Sequence, residues 1–340
     1  MTKNSKINKL NRKNYFSSAN TYDGFINYSD NIFNLRNFDK IYIVKGVFSQ
    51  SFIAEIAKKY SCECFFNPIN PAKTDAVIIN KAAVIDGSLA NFDDSHYPSV
   101  IINLGEFCDG AILNQNKEQI FKLTEQKQEI YNSSKKFLKS ANELAEYLLD
   151  LSAKYLNEKK LISAADRILN KRSSIANAEQ VDYRFINSIS AGELDTLEKE
   201  ANKIFYISNE YFTGFHFMRY LAEKTNGSKI ICPDALDTKR IRAVYLKDEK
   251  ILFAMQPKSE KIYNEKYNYI NMERFICSDL KKDHKQKLKF IKKMYDSLIG
   301  EAADCFTSLK NLSADLEKIY AQSLDINAQQ KFTADFAKKL

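Results

Sequence analysis

Residues 41–52 read IYIVKGVFSQSF, a strand, a glycine turn and the start of a helix. Ile41, Tyr42, Ile43 and Val44 form a short apolar run that ends in Lys45-Gly46. Beyond the turn, Phe52, Ile53, Ile56, Ala57 and Tyr60 recur at helical spacing. A phosphate-binding loop would sit here, and it needs G-x-x-x-x-G-K-[ST]. Glycines let backbone N–H groups close on phosphate, Lys reaches the outer phosphates, and the hydroxyl holds Mg²⁺. Gly46 fills the first position, but Ser51, Phe52 and Ile53 stand where Gly, Lys and Ser/Thr belong. The frame is present without its chemistry.

The frame recurs. Residues 204–215 read IFYISNEYFTGF, and aligning Ile41 with Ile204 pairs Val44 with Ile207 and Phe52 with Phe215 without gaps. Asn209 replaces the first glycine, Thr213-Gly214 retains the second, and Phe215 and His216 replace Lys and Ser/Thr. Both copies carry Phe at the lysine position. The runs that follow also pair in order: SCECFFNP with SKIICP, KAAVIDG with EKILFAM, and YPSVIINL with YNYINM. This order over more than a hundred residues points to an internal duplication.

At 340 residues two domains are expected, each able to bury its own core. Hydrophobic content of 44% and charged content of 28% are ordinary for a globular chain. Nine Gly and five Pro fall below the usual shares of roughly 7% and 5%, which argues against two working phosphate cradles. A net charge of +8 permits contact with anionic partners without implying it. No run is long and apolar enough to span a membrane, and the polar, basic start is not a secretory signal. The six Cys form no metal-ligand set, although Cys62 and Cys64 share one strand face, and a reducing cytoplasm fits this usage.

Residues 1–14 read as a disordered basic lead-in, 15–170 as a first α/β domain with a helical arm, and 181–340 as a second, diverged copy. A short helix is expected ahead of the first strand, within 14–35. From 41 to 104, β-type runs alternate with helical or turn segments, the pattern of a parallel sheet flanked by helices in three layers. Residues 113–170 and 280–320 are helical in period, the first with a weak point at Asn132-Ser133-Ser134. The domain boundary falls in 171–180. The facing arms could join the two halves or two copies of the chain.

The candidate nucleotide-binding remnant of the first copy is Lys45, Gly46, Ser49, Ser51 and Asp86; that of the second is Thr213 and Gly214. Ser49 and Ser51 could offer hydroxyl and N–H groups to an anion at a helix start. Asp86 ends its strand where a metal-holding carboxylate would face the loop, or caps an Asp-Gly turn. Phe52 and Phe215 could fill the space of a phosphate. The lysines between 281 and 293 read as a solvated helix face ahead of a nucleic-acid contact. His96, His216 and His284 are scattered, with no catalytic or metal order.

NTYDGFINYSDNIF (20–33), IYIVKG, VIDGSLANF and YPSVIINLGEFCD (97–109) resemble a family of proteins from spore-forming Firmicutes. These are tandem P-loop proteins described as ATPases or nucleotide kinases. The likeness covers most of 14–170 and, more faintly, 181–320. It implies a duplicated P-loop-like α/β fold and a site for ATP with Mg²⁺. In the family the Lys-Gly turn runs into a glycine-rich loop ending in Gly-Lys-Ser-Thr. This chain keeps Lys45, Gly46 and the strand-end Asp86-Gly87, and departs at the rest. The expectation is a non-hydrolysing relative acting as a scaffold or binding protein for a protein partner. The alternatives are a nucleotide-binding ATPase or kinase-like enzyme with a noncanonical site, and a nucleic-acid-binding module.

Overall fold

Residues 41–44, 83–86 and 252–255 are buried on both faces of their strands, which dictates the layers. A computed structural model describes residues 10–89, 99–170, 180–255 and 265–340. The first half contributes β1 (Arg12–Phe16), a hairpin of β2 (Ser18–Thr21) and β3 (Gly24–Asn27), α1 (Ser29–Ile32), β4 (Lys40–Lys45), α2 (Ser49–Ala57), β5 (Cys62–Phe66), β6 (Thr74–Ile79), β7 (Ala82–Asp86) and β8 (Ser99–Asn103). Its helices continue as α3 (Gly110–Gln115), α4 (Lys117–Lys154) and α5 (Glu158–Leu169). The second half supplies β9 (Val181–Tyr183), a hairpin of β10 (Asn187–Ser188) and β11 (Gly192–Glu193), α6 (Thr196–Glu200), β12 (Lys203–Ile207), α7 (Gly214–Lys224), β13 (Lys229–Pro233), β14 (Ile241–Leu246), β15 (Ile251–Met255) and β16 (Tyr267–Ile270). It ends in α8 (Asp279–Ala321) and α9 (Ile326–Ala337).

The first six-stranded sheet has the order β1-β5-β6-β7-β4-β8 and the second β9-β13-β14-β15-β12-β16. Directions match throughout. β4 runs parallel to β7 and β8, as β12 does to β15 and β16, whereas β6 and β14 run against both neighbours. The sheets are therefore mixed rather than purely parallel. The reason is connection length: β6 is reached through the turn 67–73 and left through Asn80-Lys81, too short for a parallel crossover. Asn80 takes φ 53° to close that hairpin, and Lys250 takes φ 54° in its counterpart.

The three-layer expectation also changes. On β4, Tyr42 and Val44 face α2, while Ile41 and Ile43 join a core shared with Ile204 and Tyr206 of β12. Ile207 of β12, like Val244 and Phe253, faces α7 instead. Each sheet is thus covered by helices on one face and shares a core with the other sheet on its second face. Arg184, just past β9, lies over the rings of Tyr15 and Phe65 and pairs with Glu63 across this junction. Tyr15 lies on β1, so Arg12–Asn14, expected within a disordered lead-in, begin an ordered strand; residues 1–9 lie outside the described residues. The segment expected to hold one short helix holds the β2–β3 hairpin before α1.

The arms cross. Leu138 and Ala141 of α4 meet Phe306 and Leu309 of α8, and Leu148 meets Leu288, so the two helices run antiparallel. α4 is continuous through Asn132-Ser133-Ser134, where Ser133 and Ser134 donate back to the carbonyls of Glu129 and Tyr131. At each arm's end the backbone ties to the opposite half. Asp109 N–H donates to Ser323 O at 2.7 Å and Asp325 N–H to Phe107 O at 2.8 Å. In the same way Asn157 N–H donates to Phe275 O at 2.7 Å and Cys277 N–H to Tyr155 O at 2.9 Å. Consequently α5 packs Leu161 and Ala165 on the second sheet's helix layer, while α9 sets Phe336 against Tyr42 and Phe52 of the first. The proposed boundary at 171–180 lies, except for Gln180, outside the described residues.

This exchange predicts where damage appears. Phe336→Ala should lower stability by about 3–5 kcal/mol, as for other buried Phe truncations. Hydrogen exchange should then rise in α2, which lies far from Phe336 in sequence but packs on it through Phe52, before it rises in α7. Loss of protection confined to the second sheet would contradict the exchange.

Candidate functional site

Gly46 follows β4 with φ +120°, and a Cβ there would lie 3.2 Å from Leu104 Cβ and 3.3 Å from Gly105 N. Glycine is required both by conformation and by the passing 3₁₀ turn after β8. α2 then opens at Ser49, whose buried hydroxyl donates to Asp86 Oδ2 at the end of β7. The pairing of Val44 with Asp86 brings strand end and helix start together. Asp86 Oδ1 accepts from Ser88 N–H at 2.9 Å and from the Ser88 hydroxyl.

Beside it, Asp75 of β6 is 2% exposed. It accepts from the Ser17 hydroxyl at 2.6 Å, Gln50 Nε2 at 2.7 Å and Asn67 Nδ2 at 3.3 Å. Burial, with the Asp86 carboxylate adding to it, pushes its carboxyl up to about 7 despite these donors.

Above this floor lies a cavity of about 620 Å³, at the carboxyl ends of β4, β5 and β7. Its opposite wall is formed by the arms: Lys127 and Tyr131 of α4, and Lys310, Ser313 and Glu317 of α8. Lys73, from the turn before β6, bridges the walls, reaching Glu317 at 2.8 Å and Ser51 Oγ at 3.2 Å. Burial pulls the Lys127 ammonium's pKa down, and Glu317 opposes that shift.

Of the first-copy residues read from sequence, Gly46, Ser49 and Asp86 line this cavity. Lys45 is exposed, its stem beside Gly87, and is not part of the lining. Ser51 faces a separate groove between α2 and α9 and accepts from Lys73. Phe52 does not fill a phosphate space; it turns away to stack on Phe332 and lies tilted against Phe336.

In the second half the corresponding helix start is closed by its own loop, and Thr213 lines only a smaller cavity of about 210 Å³ beside the start of α8. Thr213 donates to Glu210 O at 2.7 Å, and Gly214 N–H donates to Asn209 Oδ1 at 3.0 Å, so the loop's own amide occupies the helix start. The strand register places Met255, opposite Ile207, where Asp86 stands opposite Val44 in the first half. A Cβ on Gly214 would be 2.8 Å from Met255 Sδ and 2.8 Å from Ser208 O. Tyr211 and Phe212 take φ 51° and 63°, strained for side-chain-bearing residues. Phe215 stacks on Phe212, with the Arg240 guanidinium over both rings.

His216 meets Ser152 Oγ at 3.3 Å, and burial lowers its pKa; His284 meets the Tyr155 hydroxyl at 3.0 Å. His96 lies outside the described residues. Among the described residues no three His, Cys, Asp or Glu side chains converge on a metal site. The arm lysines are exposed, and Lys281, Lys282 and Lys292 are paired with nearby acids, as a solvated face would be.

Sequence reading missed Asp75, Lys73 and the arm residues. Asp75 had a signal: it is in phase with Val77 and Ile79 on a strand face otherwise apolar. The arm residues had none, because α4 and α8 reach the cavity only through tertiary packing. No protein-family model, curated protein or solved structure matches the chain. Among the described residues no helix is long and apolar enough to cross a membrane.

Asp75 makes stability depend on pH. The folded chain keeps its proton up to about pH 7, whereas the unfolded chain releases it near 3.8. The folded state therefore binds more protons between these values, and stability falls as pH rises through that window. Asp75→Asn should remove this contribution, so the wild type should lose more melting temperature than the variant between pH 4 and 8. Parallel curves would contradict the assignment.

Proposed function

We propose that the chain is a duplicated, P-loop-like α/β protein that does not hydrolyse nucleotide and works as a scaffold or binding protein. One observation carries the reading: neither strand–turn–helix unit brings a lysine or a free hydroxyl to the start of its helix. In the first copy the hydroxyl of Ser49 is committed to Asp86, and in the second Asn209 and Met255 occupy the corresponding space. Phosphoryl transfer in this class depends on positioning and charge neutralisation by Lys and Mg²⁺. Matching strand orders in the two sheets, and the unit β4–α2–β5 repeated as β12–α7–β13, support the duplication.

A specific observation favours a second role. The first copy keeps an open cavity where ligands bind in open α/β sheets, outside the carboxyl ends of the strands. The binding function is therefore assigned to that copy, and structural support to the other.

The purified chain, incubated with millimolar ATP or GTP and Mg²⁺, should release phosphate no faster than a protein-free control. Turnover that disappears in Asp86→Asn would overturn the non-hydrolysing reading.

A further inference from the structure

The walls of the first-copy cavity differ in charge. On the sheet side, Asp86 sits at the first turn of α2, engaged by Ser49 Oγ through Oδ2 and by Ser88 through Oδ1. A carboxylate already occupies the positive end of this helix, and it repels a second anion there. Two carboxylate oxygens offer about four acceptor positions, and three are used, so Asp86 Oδ2 retains room for one more hydroxyl.

On the arm side, Glu317 is taken up by Lys73 at 2.8 Å. Among the described residues no hydrogen bond or ion pair holds the ammonium of Lys127 or Lys310, both of which line the cavity. Both residues line a space of about 620 Å³, Lys310 from its solvent-exposed side, within the roughly 300–1,000 Å³ of small-molecule sites.

On the reading that the first copy binds a ligand, we propose that this cavity takes a hydroxyl-bearing phosphate monoester, a sugar phosphate or nucleoside monophosphate. Lys127 and Lys310 of the arms hold the phosphate, and its hydroxyls donate towards Asp86. This is the reverse of a phosphate-binding loop, in which the helix start receives the phosphate. Burial lowers the Lys127 pKa, and a phosphate dianion beside its ammonium would oppose that shift as Glu317 does. Tyr131, from α4, supplies an aromatic wall for the rest of the ligand.

The test is calorimetric titration of the full chain at low salt with AMP, glucose 6-phosphate, adenosine, glucose and inorganic phosphate. At least one ester should bind saturably, and at least about tenfold more tightly than its dephosphorylated form. Lys127→Ala and Lys310→Ala should each weaken that ester at least about tenfold, while Lys293→Ala, on the outer face of α8, should not. Circular dichroism and a melting curve establish that each variant is folded. Preference between AMP and glucose 6-phosphate identifies the source of the ester. Failure of both esters to bind at millimolar concentration, or binding unchanged in folded Lys127→Ala and Lys310→Ala, overturns the proposal. Neither result affects the non-hydrolysing reading, which stands or falls on Mg²⁺-dependent turnover.

Discussion

Strand β4 places Ile41 and Ile43 on one face and Tyr42 and Val44 on the other, and all four side chains are buried. Burying side chains of this kind contributes about 1.5–3 kcal/mol each, so neither face of the sheet is stable against water. Between β4 and β7, and between β12 and β15, a single crossover helix, α2 or α7, is present, because β5, β6 and β7 and their counterparts are joined by short turns. One helix covers part of one face. The remaining faces are satisfied by each other, and the rest of the outer layers by helices sent across from the opposite arm. The shared core, the antiparallel arms and the exchanged α5 and α9 all follow from this shortage of helices.

The same scaffold position has opposite fates in the two halves. The turns 67–73 and 234–240 close with matching backbone bonds: Asn67 N–H to Lys73 O and Asp234 N–H to Arg240 O. Yet Lys73 faces an open cavity, whereas Arg240 is buried, reaching Asn142 at 2.8 Å and Asp237 at 3.4 Å over two Phe rings. Asp86 in the first half has the same register position as Met255 in the second. A larger planar cation and a thioether close the second site; a shorter lysine and a carboxylate leave the first open. The open cavity is confined to the first of these two positions without any change in the order of the strands.

The two strand–turn–helix units, the order of the following strands and the helical arms were legible because period-2 and helical patterns act locally. β6 and β14 ran the wrong way for a parallel sheet because direction depends on loop length, and Asn80-Lys81 carries no strong turn signature. The second sheet as a covering layer was invisible. An apolar strand face looks the same in sequence whether a helix or a strand packs on it. Gly46, Ser49 and Asp86 were found because they belong to one contiguous frame. Lys127, Lys310 and Glu317 were not, since they lie on long helices where a lysine or glutamate ordinarily faces water. Asn132-Ser133-Ser134 failed to break α4 because Leu138 and Ala141, a turn or two further on, are anchored against α8.

If the sheets share one core and the arms are exchanged, neither half can unfold alone. Native-state hydrogen exchange across a denaturant series, comparing the amides of β4 with those of β12, measures this directly. Both strands should open only through global unfolding, with the same free energy and the same denaturant dependence. Two separate opening free energies, with one sheet remaining protected while the other exchanges, would mean that the halves are independent domains and would contradict it.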